Sequence, residues 1–336
     1  MKKKNYTKII AEIALSHNGN YDYAKKLIQK CKDAGANYVK FQTHIAENES
    51  SLDEKFRNGF NFKEKNRFEY WKKRQFTPRQ WKALYRYAIK IKIGFLSSPF
   101  SVEAIKILRS IGLKKWKISS GEFFSKSLLD EILKKKDAII LSTGMATIPE
   151  IAKKIKLIKK NKNNLTLLQC TSKYPVKLEE VGLNIAKYYK KKFKVKNGIS
   201  DHSGTIYPAL EAIRQNFDFV EVHVEDKKKI GPDTPSAITF SELSIITNYA
   251  SSLQKLNVKI DKNKSVKSLN KTKILFTKSI CSKRDISKNE FLTMKNICFK
   301  KPGSGIPENK INEVLNYRFK NNIDKNKIIT WSDIKK

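Results

Sequence analysis

The chain has 336 residues, 40% hydrophobic and 10% aromatic, enough apolar material for a packed core, and this excludes a wholly disordered chain. Its formal charge of +38, from 70 Lys and Arg against 32 Asp and Glu, raises nucleic acid or an anionic surface as partners. No apolar run approaches the ~18 residues of a membrane-crossing helix, so no membrane insertion is expected.

The amino terminus, Met1-Lys2-Lys3-Lys4-Asn5-Tyr6-Thr7-Lys8, lacks the apolar core of a signal peptide, and a cytoplasmic location is the expectation. A first strand is expected over Ile9–Leu15, and a helix over Asp22–Ala34 that Gly35 stops. A second strand follows at Tyr38–Gln42. Ala46–Phe76 reads as an irregular, charged and aromatic stretch. Thr77-Pro78-Arg79-Gln80 opens the next helix, with Thr77 as cap and Pro78 in its first turn.

Strands are then expected near Gly94–Leu96, Lys115–Ile118, Ala138–Leu141, Leu165–Cys170, Gly198–Ser200 and Phe219–Val222, with helical patterns between them and a last one over Thr239–Leu256. Eight strand–helix pairs in about 250 residues predict an α/β (β/α)8 TIM barrel, with an open doubly wound sheet as the alternative. The expected domains are a catalytic barrel at 1–260, a Lys-, Asn- and Ser-rich linker at 261–276, and a small β-rich domain at 277–336.

Active sites of such barrels lie at the carboxyl ends of the strands. Strand by strand, those ends carry Glu12 and His17; Lys40, Gln42 and His44; Ser98 and Phe100; Lys117, Ser120 and Glu122; Ser142; Ser172 and Tyr174; Ser200 and His202; and His223 with Glu225. All four histidines of the chain fall there. His17 and His44 can equally bond loop backbone. His202 and His223 end neighbouring strands and can share a cation such as Mn, Zn, Co or Fe(II). Lys40 and Lys117 lie within apolar strands; a lysine pointing inward needs a partner, for which a phosphate is the natural choice, the alternatives being snorkelling or pairing with Glu12 or Glu122. Ser120-Gly121 and Ser142-Thr143-Gly144 are turns that let phosphate oxygens approach closely. Asp233, in Gly231-Pro232-Asp233, adds a third acid.

The four cysteines form no CxxC pair, so free thiols are expected. The lysines are spread along the chain, at Lys72-Lys73, Lys134–Lys136, Lys190–Lys192 and Lys227–Lys229 among others. That is the pattern of solvated faces, and no specific nucleic-acid partner is expected.

These motifs resemble the sialic acid synthase family. The resemblance rests on Ile10–Gly19, Val39–Thr43, Lys117–Glu122, Leu141–Met145, Cys170-Thr171-Ser172 with Tyr174-Pro175, Ser200–Ser203 and Gly231–Asp233. The tail, with Lys300-Lys301-Pro302-Gly303-Ser304-Gly305, resembles the family's antifreeze-like SAF domain.

The resemblance implies condensation of phosphoenolpyruvate (PEP) with an N-acetylated amino sugar, either N-acetylmannosamine or a 2,4-diacetamido-trideoxyhexose. The product is a nine-carbon 2-keto acid plus phosphate. It also implies a divalent metal, Mn or Mg with Co as a further option, and a domain-swapped homodimer. By position, His202 and His223 would hold the metal. Lys40, Lys117, Ser120 and Ser142 would contact PEP, with Ser98 nearby. Glu12, Gln42, Tyr174 and Asp233 would act at the reacting centre. Glu122, Ser172, Ser200 and Lys301 would bind substrate. The family pattern is departed from at Lys301 (usually Arg), at Ser172 (usually Asn), and at Val224-Glu225 (usually an aromatic and Thr). These departures surround the sugar end, and the rival they motivate is a sugar- or PEP-binding homologue without turnover.

Overall fold

The structure is a computed structural model that describes residues 6–56, 63–226 and 231–336. Met1–Asn5 and the Lys227–Lys229 run lie outside the described residues. Contacts divide the chain into two compact units, Met1–Asn257 and Val258–Lys336.

The first unit holds eight parallel strands: β1 (Lys8–Ala14), β2 (Tyr38–Thr43), β3 (Gly94–Pro99), β4 (Lys115–Ile118), β5 (Ala138–Ser142), β6 (Leu165–Cys170), β7 (Lys196–Asp201) and β8 (Phe219–Val224). Hydrogen bonds run through them in the order β3-β2-β1-β8-β7-β6-β5-β4. β3 and β4 pack side by side and close the ring. Closure decides for the barrel over the open sheet, and all eight expected strands are present. A short ninth strand, β9 (Ala237–Ile238), pairs with the end of β8.

Local sequence explains the helices. Asn20 caps the helix Tyr21–Asp33 through Tyr23 N–H. Thr77 and Gln80 form a reciprocal box at the start of Pro78–Lys90, and Thr239 and Glu242 do the same for Phe240–Leu256. The helices between the barrel strands turn apolar stripes, such as Trp81, Leu84 and Ala88, onto the outer faces of the strands, where most of the hydrophobic core lies.

The barrel interior is built in layers, because side chains along a strand alternate between its two faces. Its floor is the apolar cluster Ile10, Leu96, Ile140, Leu168 and Phe219, with Tyr38 packed against it. Moving two residues along each strand toward its carboxyl end gives Glu12, Lys40, Ser98, Lys117, Ser142, Cys170, Ser200 and Glu221, all buried. Two further residues on β2, β7 and β8 bring Gln42, His202 and His223 to the mouth. The fold thus stacks a charged layer on an oily floor.

Two stretches differ from expectation. Ala46–Phe76 carries helices at Ala46–Glu49 and Arg67–Arg74, the second capped by Asn66. Residues 57–62 of it lie outside the described residues. The expected linker also carries two short helices, Lys262–Lys267 and Asn270–Phe276. It contains neither Gly nor Pro, and the Asp261 carboxylate caps the first helix by accepting from Asn263 and Lys264 N–H.

The second unit has its own core of Ile280, Ile286, Leu292, Ile297, Ile306, Val314, Phe319, Ile323, Ile329 and Ile334. Its antiparallel pair, β10 (Ser279–Ser282) and β11 (Ile297–Lys300), places Cys281 opposite Cys298. All four cysteines of the chain are free thiols.

At Gly198 on β7, an added Cβ would lie 2.2 Å from the Phe219 carbonyl oxygen and 2.7 Å from Leu168 Cδ2. Gly198→Ala is expected to overpack the floor by ~2 kcal/mol. Calorimetry should then show a melting temperature lower by roughly 5 °C.

Candidate active site

The charged layer is held by close ion pairs. Glu12 contacts Lys40 directly, and its Oε1 accepts from Ala14 N–H at 2.7 Å. Ala14 sits at φ 49, in a bulge that shifts the β1–β2 register between Glu12 and Ala14. Glu221 Oε1 lies 3.1 Å from Lys117 Nζ and 3.6 Å from Lys40 Nζ, and accepts from Ser200 Oγ at 2.9 Å. Lys40 also reaches Ser98 Oγ at 3.4 Å. Burial pulls the Lys40 ammonium down to about 7, and Glu221 opposes that shift. The two lysines hold the buried Glu221 carboxyl below the usual carboxylate range. Of the two carboxylates expected to face the lysines, Glu12 does so; Glu221, not Glu122, is the second.

Above this layer, Ser120 Oγ accepts from Gly144 N–H at 3.0 Å and sits 2.8 Å from Cys170 Sγ. A Cβ on Gly144 would come within 2.5 Å of Ser172 Oγ, so this turn requires glycine. A Cβ on Gly121 would meet nothing within 4 Å, because it faces open space. Ser119 Oγ and Ser142 Oγ are buried without a hydrogen-bond partner among the described residues, although both residues line the cavity. Two idle hydroxyls beside two lysines suit an oxyanion ligand.

At the mouth, the His202 and His223 rings stand 5.4 Å apart at 63°. His202 Nδ1 lies 2.9 Å from the Thr171 carbonyl, which fixes Nδ1 as the protonated nitrogen and leaves Nε2 as an acceptor. Burial, then His223, pushes the His202 imidazole down to about 3, so it is neutral. Tyr174 stacks on His202 at 4.2 Å, with its hydroxyl 3.1 Å from Nε2. Asp233 Oδ2 is 4.0 Å from His223 Nδ1. Two convergent imidazoles, that of His202 neutral, with a carboxylate beside them fit a divalent cation that keeps open positions for water or substrate. No group of three His, Cys, Asp or Glu side chains among the described residues encloses such an ion by itself.

Lys40, Lys117, Glu221, Ser119, Ser120, Ser142, Ser172, Ser200, Tyr174, His202, His223 and Asp233 line one cavity of about 1150 Å³, which also takes in Gln42, His44, Glu49, Glu54, Phe56, Arg67, Tyr70, Trp71, Phe100, Glu122, Met145 and Pro235; Glu12 and Ser98 lie beneath it and are not among the described lining residues. That volume accommodates two small substrates together. Of the remaining expected residues, His17 is buried against Phe76 and, among the described residues, accepts a hydrogen bond from Gly19 N–H, the loop-backbone role given as one option. His44 bonds side chains instead, Gln42 at 3.1 Å and Glu49 at 2.5 Å. Lys301 belongs to the second unit, exposed, with its Nζ 5.2 Å from the Phe276 ring centre.

The pattern of the NeuB family matches residues 27–262, and that of the SAF domain matches residues 277–335. The chain belongs to the NeuB family. It is 35% identical to the N,N'-diacetyllegionaminic acid synthase of Campylobacter jejuni, over 94% of this chain and 95% of that one. It is 31% identical to the pseudaminic acid synthase of Helicobacter pylori, over 98% of each chain. The crystal structure of an N-acetylneuraminic acid synthetase from Leptospira borgpetersenii, in complex with citrate, superimposes with a TM-score of 0.69 at 26% identity, covering 80% of this chain and 92% of that one.

Two predictions follow from the electrostatics. Glu221→Gln leaves two buried ammonium groups with too little counter-charge, and urea unfolding should show a loss of ~3 kcal/mol. Burial, reinforced by Glu49, raises the Glu122 carboxyl to about 7. The fold therefore favours its protonated form, and stability drains as pH rises from the ordinary carboxylate range through about 7. Glu122→Gln removes that drain, so the melting temperature of the variant relative to wild type should be higher at pH 8 than at pH 4.5.

Proposed function

We propose that this NeuB-family chain is a nonulosonic acid synthase. It condenses PEP with an N-acetylated amino sugar of the 2,4-diacetamido-trideoxyhexose class and releases inorganic phosphate. N-acetylmannosamine is the competing sugar. The observation that carries this reading is the layering of one cavity, with two lysines and idle serine hydroxyls beneath two convergent imidazoles. The choice of sugar class is supported by the diacetyllegionaminic and pseudaminic acid synthases among the relatives.

Lys40 and Lys117 neutralise the phosphate and carboxylate of PEP, displacing part of their pairing with Glu12 and Glu221. Ser142 and Ser120, with the open backbone at Gly121, donate to phosphate oxygens. PEP C3 then attacks the aldehyde of the open-chain sugar, and positive charge develops at C2. A water adds at C2, and phosphate leaves as the C2–oxygen bond to it breaks, giving the 2-keto acid. The fixed lysines stabilise the anionic groups throughout without reorganising. Glu12, Gln42, Tyr174 and Asp233 stand around the reacting centre and orient the sugar carbonyl and the water; Glu122, Ser172 and Ser200 complete the substrate wall. His202 and His223, with Asp233 beside them, would hold a divalent cation, Mn or Mg, which supplies Lewis acidity toward the sugar carbonyl when bound. A domain-swapped homodimer, a substrate role for Lys301 and a cytoplasmic location belong to the same proposal. No helix among the described residues is long and apolar enough to cross a membrane.

The rival without turnover leans on Lys301 and on Val224 and Glu225. Val224 is buried in the core outside the barrel floor, and Glu225 accepts from Thr234 Oγ1 at 2.7 Å. Neither is among the described residues that line the cavity.

Purified full-length protein with Mn should release phosphate from PEP only when an acceptable acetamido sugar is present, and the product mass should equal sugar plus the pyruvyl unit. His202→Ala and His223→Ala should each lower the rate by at least about 100-fold while leaving the melting profile intact. Phosphate release without sugar, or undiminished turnover in both histidine variants, overturns the assignment.

A further inference from the structure

The sugar half of the cavity contains an arrangement that the pairing of PEP with the lysines does not use. Glu49 ends a short helix, Ala46–Glu49, in the segment between β2 and β3. Its side chain is only 7% exposed. Oε1 is bound by His44 Nδ1 at 2.5 Å. Oε2 is buried and has no hydrogen-bond partner among the described residues, yet Glu49 lines the cavity. A buried carboxylate oxygen without a donor is costly, and it acquires one when a ligand brings an N–H or O–H to it.

His44 is what holds Glu49 in place. Its ring lies between Trp71, stacked at 4.0 Å and 5°, and Phe100, stacked at 4.3 Å and 17°. Its other nitrogen lies 3.1 Å from Gln42 Oε1. The imidazole therefore cannot turn, and it ties Glu49, in the segment between β2 and β3, to Gln42 at the end of β2. The surroundings of Glu49 are acidic: Glu54 and Glu122 line the same wall, and the described cation there, Arg67, is paired with Glu54 at 2.9 Å.

We propose that Glu49, anchored by His44, is a sugar-reading residue whose free oxygen accepts a hydrogen bond from an N–H or O–H of an uncharged sugar and turns away a sugar phosphorylated at that end. The inference rests on the synthase reading but extends it to a residue and a selectivity. A phosphate delivered to this wall would meet carboxylate oxygens, whereas hydroxyl or acetamido groups supply the missing donor.

The test uses the full-length protein, with N-acetylmannosamine and N-acetylmannosamine 6-phosphate as probes beside a 2,4-diacetamido-trideoxyhexose. Sugar binding is measured by calorimetry, which needs no turnover, and KM values are measured wherever phosphate is released. Wild type should bind the uncharged sugars at least about tenfold more tightly than the phosphorylated one. Glu49→Gln should weaken the uncharged sugars about tenfold or more, leave the KM for PEP within about twofold, and narrow the discrimination against the phosphorylated sugar. His44→Phe keeps the ring stack and should reproduce the loss, and the double variant should be no worse than the worse single one. Equal or tighter binding of the 6-phosphate by wild type overturns the proposal. So does unchanged sugar affinity in Glu49→Gln, or an equal rise in both KM values. Glu49-dependent binding with no phosphate release from any sugar would sustain this inference and sink the synthase reading. Turnover that ignores Glu49 would do the reverse, and no sugar binding at all would sink both.

Discussion

The whole site depends on a set of charges that the barrel would otherwise exclude. Lys40 and Lys117 point inward, two residues beyond an apolar floor, where an uncompensated ammonium group would be expelled or neutralised. Glu12 and Glu221 keep them there. Such pairs add little net stability relative to an oily replacement, but removing one member costs far more, because it strands its partner. Their value lies in preorganisation. Cations already desolvated and aimed at one point attract an anion more strongly than the same groups in water. Glu12 also ties this electrostatics to the backbone, since the same carboxylate caps the Ala14 N–H of the bulge that ends β1.

A strand period of two and a barrel of eight strands place Glu12, Lys40, Gln42, Ser98, Lys117, Ser142, Ser200, Glu221 and His223. On β8 the run Phe219, Glu221, His223 passes from floor to charged layer to imidazole ring at intervals of two residues. On β2 the run is Tyr38, Lys40, Gln42. No loop has to fold in a special way to bring Lys40 near Glu221, because the ladder places β1 between their strands. Loops set Ser120 and His202 just past the ends of β4 and β7, and the outer wall, where Glu122, Tyr174 and Asp233 sit and where the segment between β2 and β3 adds Glu49, Tyr70 and Trp71.

This division explains what the sequence discloses. The eight strands are legible because each is a short apolar run between helical patterns, and polar residues interrupting those runs at strand ends mark the mouth. Lys40 and Lys117 stand out because a charge inside an apolar run needs a reason. Glu221, in Phe219-Val220-Glu221-Val222-His223, breaks its run in the same way, and the alternation that selects His223 would have found it. Glu122 is one of the carboxylates a buried lysine can pair with on the sequence alone, but pairing across a barrel is set by layer, and Glu122 stands above that layer in the loop after β4. His44 and Glu49 were not readable as a unit. Their link depends on Trp71 and Phe100, which come from two other parts of the chain and clamp the imidazole from both faces. No spacing rule within one segment carries that information. The helices at Lys262–Lys267 and Asn270–Phe276 were hidden for a different reason: composition alone suggests a linker, and only the Asp261 cap and the absence of Gly and Pro argue otherwise.

The net charge of the chain and the charge of its cavity point in opposite directions. The protein carries +38, yet the described lining residues include three cations, Lys40, Lys117 and Arg67, and five acids, Glu49, Glu54, Glu122, Glu221 and Asp233. A lysine-rich surface raises the local concentration of any anion, including PEP, and salt weakens that effect at distances beyond about 10 Å. It does not choose among ligands once they arrive. Choice is made by buried groups that salt screens poorly: Lys40 and Lys117, each paired with a carboxylate, at the strand ends, and Glu49, Glu54 and Glu122 with the single cation Arg67 among the described lining residues of the outer wall. Under the proposed function, the two ammonium groups would draw the anionic enol ester to the strand ends and leave the outer wall to an uncharged sugar. The excess lysines are consistent with that arrangement but are not its cause, and their loss from the surface would change rates of encounter before it changed which substrates fit.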